Sequence, residues 1–202
     1  KRYLGDTIDI HAGGEDLIFP HHENEIAQSE AANCCTFARY WMHNAFLNID
    51  NRKMSKSLGN FFTVRDILDQ YDGQVLRYFM LSVQYRSPLN FSRDLMESAK
   101  TSYERIVNCA ENLRFLLEKA AAAGKTALTE AEEALLPEAD AFRVQFETAM
   151  DDDFNTADGI SAVFELVKWI NSHADENSSA AFLQKISDEL QSLADVCGLL
   201  LQ

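Results

Sequence analysis

The chain has 202 residues and a formal net charge of −14, with 47% apolar residues, 25% charged residues, 8 Gly and 3 Pro. That length buries a real core as one large domain or two small ones, and the composition is that of a globular protein rich in helix formers. No apolar run reaches the roughly 20 residues of a spanning helix, and the opening Lys1-Arg2-Tyr3-Leu4-Gly5 does not read as a secretory leader.

The acidity is uneven. Of the 18 Lys/Arg, 11 lie in residues 1–100, against 13 Asp/Glu; residues 101–202 hold 7 against 19. Such a balance argues against a general nucleic-acid binder, because phosphate contacts need basic surface. It leaves room for one local contact patch, and neither DNA nor a membrane is an expected partner. The four cysteines, Cys34, Cys35, Cys109 and Cys197, form no Cys-x-x-Cys pair and no disulfide framework. Free thiols, buried or half-buried, in a reducing cytoplasm are the expectation.

In chain order, Thr7 to His11 alternates like a short strand and runs into Ala12-Gly13-Gly14, read as a turn that lets backbone approach a ligand. Pro20 suits a helix opening, and His21 to about Ala32 follows as a helix. Asn44 to Ile49 reads as a second strand, closed by Asp50-Asn51-Arg52. Strand, loop, helix, strand is the grammar of a nucleotide-binding α/β sheet. Beyond it the chain reads as helical. Thr63 caps a helix through Gln70, Asp72 caps one to about Val83, and Ser92 opens one of some thirty residues ending at Gly124. Ala120–Ala123 and Lys125–Pro137 read as a linker, and two or three helices follow with Asp153 or Asn155 as caps. Leu113, Phe115, Leu116, Leu117, Phe164, Leu166, Val167 and Ile170 are expected in the bundle core.

Two segments carry chemistry. In His11-Ala12-Gly13-Gly14-Glu15-Asp16-Leu17-Ile18-Phe19-Pro20-His21-His22-Glu23-Asn24-Glu25, His21 and Glu25 stand four apart on the expected helix and share a face. Imidazole and carboxylate are good zinc donors, yet a zinc site needs three or four protein ligands. The second segment is Lys53-Met54-Ser55-Lys56-Ser57-Leu58-Gly59-Asn60, whose lysines and serines suit a polyanionic phosphate. Taken alone, it reads more readily as a solvated basic turn.

Together these segments resemble the cysteinyl-tRNA synthetases, class I aminoacyl-tRNA synthetases. Residues 11–30 and 53–61 look like that family's signatures in the expected order; Leu76-Arg77-Tyr78-Phe79 and Met150-Asp151-Asp152-Asp153-Phe154-Asn155-Thr156 look like its later helical segments. The resemblance implies an α/β portion, the C-terminal part of a Rossmann-like catalytic domain over residues 1–62. Connecting helices over 63–91 and a tRNA-binding helical bundle over 92–202 would follow. It assigns two zinc ligands to His21 and Glu25, half of the set, and puts His11 beside the metal as a substrate or supporting group. It assigns nucleotide binding to Gly13, Gly14 and Asp16, with Asp16 accepting from ribose hydroxyls, and the grip on departing pyrophosphate to Lys56, assisted by Lys53. Cysteine, ATP with magnesium, and cysteine tRNA are the implied substrates of the full enzyme. The family's remaining zinc ligands and its His-Ile-Gly-His-type motif would precede Lys1, so the chain is expected to be a fragment that is inactive alone. Rival readings are a paralogue joining cysteine to an amino sugar and a non-catalytic helical module.

Overall fold

The computed structural model describes residues 1–50, 52–53 and 62–200. The chain forms two compact units, Lys1–Phe61 with Tyr85–Phe91, and Phe62–Gln84 with Ser92–Gln202. An α/β portion is thus followed by a mainly helical one. Residues 63–91, read from sequence as one connecting stretch, divide between the two units.

In the first unit, strand β1 (Ile8–Gly14) pairs in parallel with β2 (Ala38–Asn44), with helix α1 (Glu23–Asn33) between them in sequence. The register sets His11 beside Trp41 and Gly13 beside His43. Side chains alternate along a strand and neighbours across a parallel pair share a face, so these four residues line one face of the sheet. The opposite face carries Ile10 and Tyr40, which are 52% and 69% exposed. Strands β3 (Leu47–Ile49), β4 (Arg52–Lys53) and β5 (Leu89–Phe91) make a second small sheet in the order β4-β3-β5, with β3 antiparallel to β4 and parallel to β5.

Helices α2 (Val64–Leu68), α3 (Gly73–Leu81), α4 (Arg93–Ala122), α5 (Glu130–Asp151), α6 (Thr156–His173) and α7 (Ala180–Val196) build the second unit. Each starts on a residue whose side chain accepts from the first turn: Thr63, Asp72, Ser92, Thr129, Asn155 and Ser179. In α4 the buried residues Met96, Ala99, Ile106, Cys109, Leu113, Leu116 and Ala120 recur at helical spacing and form one apolar stripe. That stripe packs on α7, whose Phe182, Leu183, Ile186, Leu190 and Leu193 are at most 1% exposed.

The structure corrects several expectations. Gly13 and Gly14 continue β1 rather than turning the chain. The expected second strand over 44–49 is two strands, β2 ending at Asn44 and β3 starting at Leu47. Most of the expected linker over 125–137 is the start of α5. Pro137 deprives that stretch of its helical look, but it is exposed, so water can satisfy the carbonyl its missing N–H leaves free. Phe115 is 57% exposed, because Leu113 and Leu116 take the inward face and Phe115 falls outside it. Cys34 is exposed at the end of α1, Cys35 is half-buried, and Cys109 and Cys197 are buried. Burial pushes the Cys109 thiol up to about 11, as for an inert core thiol.

Glu132 ties two helix starts together. Its Oε2 accepts from the Thr129 N–H at 2.8 Å, closing a capping box, and its Oε1 accepts from the Ser179 N–H at 2.7 Å at the start of α7. Desolvation works to raise its pKa, but the N–H groups of Ser179 and Thr129 outweigh it and hold the carboxyl below the usual glutamate value. A depressed folded pKa means stability that is present above the unfolded glutamate value and lost as pH falls through the folded one. Urea midpoints should therefore drop below the ordinary glutamate range in the wild type and flatten there in Glu132→Gln, which is also the less stable protein at neutral pH. Equal acid slopes in the two proteins would remove this role from Glu132.

Candidate functional site

The site lies on the His11 face of the β1–β2 sheet. Past β1 the chain makes a tight turn over Glu15–Leu17 and then a wide turn over Ile18–His22, with a cis Phe19–Pro20 bond and Phe19 out of helical geometry. In the wide turn the Glu23 N–H reaches back five residues to the Ile18 carbonyl. Helix α1 proper begins only at Glu23. His21 therefore precedes the helix, and the 3.6-residue stacking expected to align it with Glu25 does not govern its direction. His21 is exposed, whereas His22, the last residue of the turn, is buried at 5% exposure.

The result is a cluster of His11, His22 and Glu25, whose ligand atoms all lie within 4.8 Å of one another. His11 Nε2–H donates to Glu25 Oε2 at 2.5 Å, a short charge-assisted bond. His22 Nδ1 lies 2.9 Å from His43 Nε2. Trp41 sits edge-on to His11 with ring centres 4.7 Å apart, and lies nearly parallel to His43 at 6.0 Å. Phe37 closes the side of His11 at 5.3 Å. Desolvation, with smaller contributions from His22, Arg86 and His11, holds the His43 pKa below the ordinary histidine value. Gly13 is what admits His22. A Cβ there would stand 2.8 Å from His22 Cε1 and 2.9 Å from Nε2, so the imidazole rests directly on the strand backbone. At Gly14 the close neighbour is Asp16 Oδ1, 2.6 Å from an added Cβ.

Chemically, imidazole and carboxylate are nitrogen and oxygen donors of the kind zinc takes, and three such side chains converge here. The donors converge next to the carboxyl end of a parallel sheet, where open α/β folds bind ligands. Gly13, Gly14 and Asp16 meet at that same end. Lys53 pairs through β4 with Asn48, and Lys56 lies outside the described residues. Of the residues singled out from sequence, the structure brings together His11 and Glu25, and it sets His22 rather than His21 beside them. Trp41 and His43 escape the sequence reading. Their signal is the alternation Tyr40-Trp41-Met42-His43, which marks a half-buried strand carrying an imidazole and an indole on one face.

No helix among the described residues is long and apolar enough to cross a membrane. Residues 1–101 match the tRNA synthetases class I (C) catalytic domain, and residues 145–202 match the DALR domain. A cysteine–tRNA ligase from Lachnospira eligens is 59% identical over 199 residues, which cover 98% of this chain and 42% of that protein. The same enzyme from Clostridioides difficile (strain 630) is 56% identical over 98% of this chain and 42% of its own length, and that from Anoxybacillus flavithermus 53% identical over 100% and 43%. The chain thus spans about two fifths of the length of these curated relatives. Among solved structures, the ternary complex of Agrobacterium radiobacter K84 agnB2 LeuRS-tRNA-LeuAMS superposes with a TM-score of 0.72 at 15% identity, over 94% of this chain and 27% of that one. Mycobacterium tuberculosis methionyl-tRNA synthetase bound by methionyl-adenylate gives 0.69 at 17% identity, over 93% and 41%. At such identities these two likenesses speak for the fold alone. On the matched domains and on relatives that run through essentially all of its residues, the chain belongs to the class I (C) tRNA synthetase family.

Proposed function

We propose that the chain is part of a cysteine–tRNA ligase, which joins cysteine to ATP as an adenylate with loss of pyrophosphate and then passes the cysteinyl group to cysteine tRNA. The observation that carries this reading is the imidazole–carboxylate cluster beside the carboxyl end of a parallel sheet, in a chain 53–59% identical to cysteine–tRNA ligases. The relatives' names favour tRNA over an amino-sugar acceptor. Residues 1–62 would serve catalysis, 63–91 connect, and 92–202 brace the tRNA, with α4 offering about 45 Å of rigid helix at 1.5 Å per residue.

Glu25 is the carboxylate of a zinc site in this reading. The resemblance assigns His21 as its histidine, whereas the geometry favours His22 with His11. Zinc bound here supplies a soft centre that prefers a thiolate over a hydroxyl, a distinction that shape alone makes poorly. His11, short-bonded to Glu25, orients that carboxylate and stands ready for substrate. Asp16 accepts from ribose hydroxyls, and Gly13 and Gly14 let the nucleotide approach the strand. Lys53 and Lys56 hold the phosphates of ATP with its magnesium and steady the departing pyrophosphate. Four free cysteines suit work in a reducing cytoplasm.

The test is cysteine-dependent pyrophosphate exchange by the protein that carries this chain. Lys56→Ala should lower its rate by about 10²–10³-fold, the usual cost of one transition-state contact to developing charge. Exchange that is driven by another amino acid, or that ignores the Lys56 change, would overturn the reading.

A further inference from the structure

We propose that Arg86 is a phosphate-binding residue of the site: the loop over residues 85–88 is stitched to the carboxyl end of β2 and presents its guanidinium to a phosphate of ATP or of the tRNA 3′ end. The inference rests on the reading of the chain as part of a cysteine–tRNA ligase, and it adds a cation drawn from neither signature segment.

The elements that build the site offer a phosphate no cation. Between Ile8 and Asn44 the chain carries Asp9, Glu15, Asp16, Glu23, Glu25 and Glu30, and Arg39 alone of Lys or Arg. Arg39 stands near the start of β2, 3.5 Å from Asp9, at the end of the strands away from Gly14 and Asn44. A polyphosphate brought to the carboxyl end, where parallel sheets bind nucleotides, therefore needs positive charge from elsewhere. The loop before β5 delivers it. The Ala45 N–H, one residue past β2, donates to the Tyr85 carbonyl at 2.9 Å, and the Leu89 N–H donates to the Phe46 carbonyl at 3.1 Å. Both ends of the loop are thus tied to the chain leaving β2, and Arg86 directly follows the first tie. Its charge is felt on the cluster's side of the sheet: after desolvation and the charge of His22, that of Arg86 is the next cause that holds the His43 pKa down. Arg86 is exposed, and its Nε–H donates to Tyr85 Oη at 3.1 Å, with the guanidinium carbon 5.5 Å from the Tyr85 ring centre. Tyr85 thereby orients the guanidinium by its Nε edge, so the Nη1–Nη2 edge is the fork that two phosphate oxygens would meet. That bidentate geometry is what separates arginine from lysine as a phosphate partner.

The experiment uses the complete protein that carries this chain, as wild type, Arg86→Ala, Arg86→Lys and Tyr85→Phe, with circular dichroism to confirm the fold. Calorimetry gives the affinities for ATP with magnesium and for cysteine tRNA. Pyrophosphate exchange reads the nucleotide step, and single-turnover transfer from preformed cysteinyl-adenylate reads the tRNA step. If the phosphate belongs to ATP, Arg86→Ala lowers exchange about 10²–10³-fold, with the cysteine KM unchanged and transfer at the wild-type rate. If it belongs to the tRNA end, transfer falls instead and exchange holds. In either arm Arg86→Lys recovers only part of the loss, because a point charge lacks the fork. Tyr85→Phe, which keeps the ring and removes the hydroxyl, costs about 2–10-fold. Exchange and transfer both at wild-type rates in Arg86→Ala overturn the proposal. So does a cysteine KM that worsens as much as the ATP or tRNA step, the sign of a merely structural role. A wild type without cysteine-dependent exchange removes the ligase reading, and Arg86 then stands if Arg86→Ala weakens ATP or tRNA binding and falls if it weakens neither.

Discussion

Phe182→Ala should destabilise the helical unit by about 3–5 kcal/mol, the cost of removing a fully buried phenylalanine from a core that cannot collapse around the space. Phe182 is 0% exposed in the first turn of α7. Its N–H donates to the capping Ser179 Oγ at 3.2 Å, and its ring centre lies 6.2 Å from that of Trp169. Trp169 is itself held, donating from Nε1 to Glu138 Oε2 at 3.0 Å and stacking on His173 at 4.5 Å. A ring fixed on two sides has little freedom to move into a vacated volume. The check is urea unfolding followed by far-ultraviolet circular dichroism and by the fluorescence of Trp169 with Trp41 replaced by Phe (Trp41→Phe). Phe115→Ala is the contrast, since that residue is 57% exposed and its loss should stay within about 0.5 kcal/mol. A Phe182 effect as small as the Phe115 effect would contradict the packing described.

Gly13→Ala should dismantle the His22 site while leaving the helical unit untouched. The new methyl would need the space of His22 Cε1 and Nε2, at 2.8 and 2.9 Å, and of Leu17 Cδ1 at 3.2 Å. His22 is not the loose end of a flexible side chain, for it is buried and bonded to His43, so the ring must leave its position. Overpacking of this kind costs about 1–3 kcal/mol, and on the proposed reading of the cluster as a zinc site, displacing His22 should weaken zinc about 10–100-fold. Gly14→Ala is the control. There the close atom is Asp16 Oδ1, the end of an exposed side chain that can rotate away. Zinc titration of the two variants, alongside His21→Ala and His22→Ala, reads both the site and its histidine. Gly13→Ala binding zinc like the wild type would show that His22 is not the ligand the close packing holds in place.

Helix starts are legible in the residue order because they are local. Thr63, Asp72 and Ser92 cap their helices as expected, and Asn155 rather than Asp153 opens α6. A cap needs only its own side chain and the next three N–H groups, so the instruction lies within four residues. The same signal, Thr129 with Glu132, stands ahead of α5, but Pro137 and the run of small and acidic residues obscure it. The signature segments at residues 11–30 and 53–61 are also contiguous, so the family can be read from the order of residues alone.

Residue order therefore specifies the helix starts, the α/β-then-helical succession and the family, each through contiguous runs. It does not specify which histidines lie close to Glu25; their proximity arises in three dimensions. The choice depends on a turn too wide for α-helical spacing at Ile18–His22, and on a parallel register that brings His43 across from Gly13, about thirty residues away along the chain. Pairings at such separation are written in no short window, since they arise only when the strands meet and each buried ring must find both room and a hydrogen-bond partner.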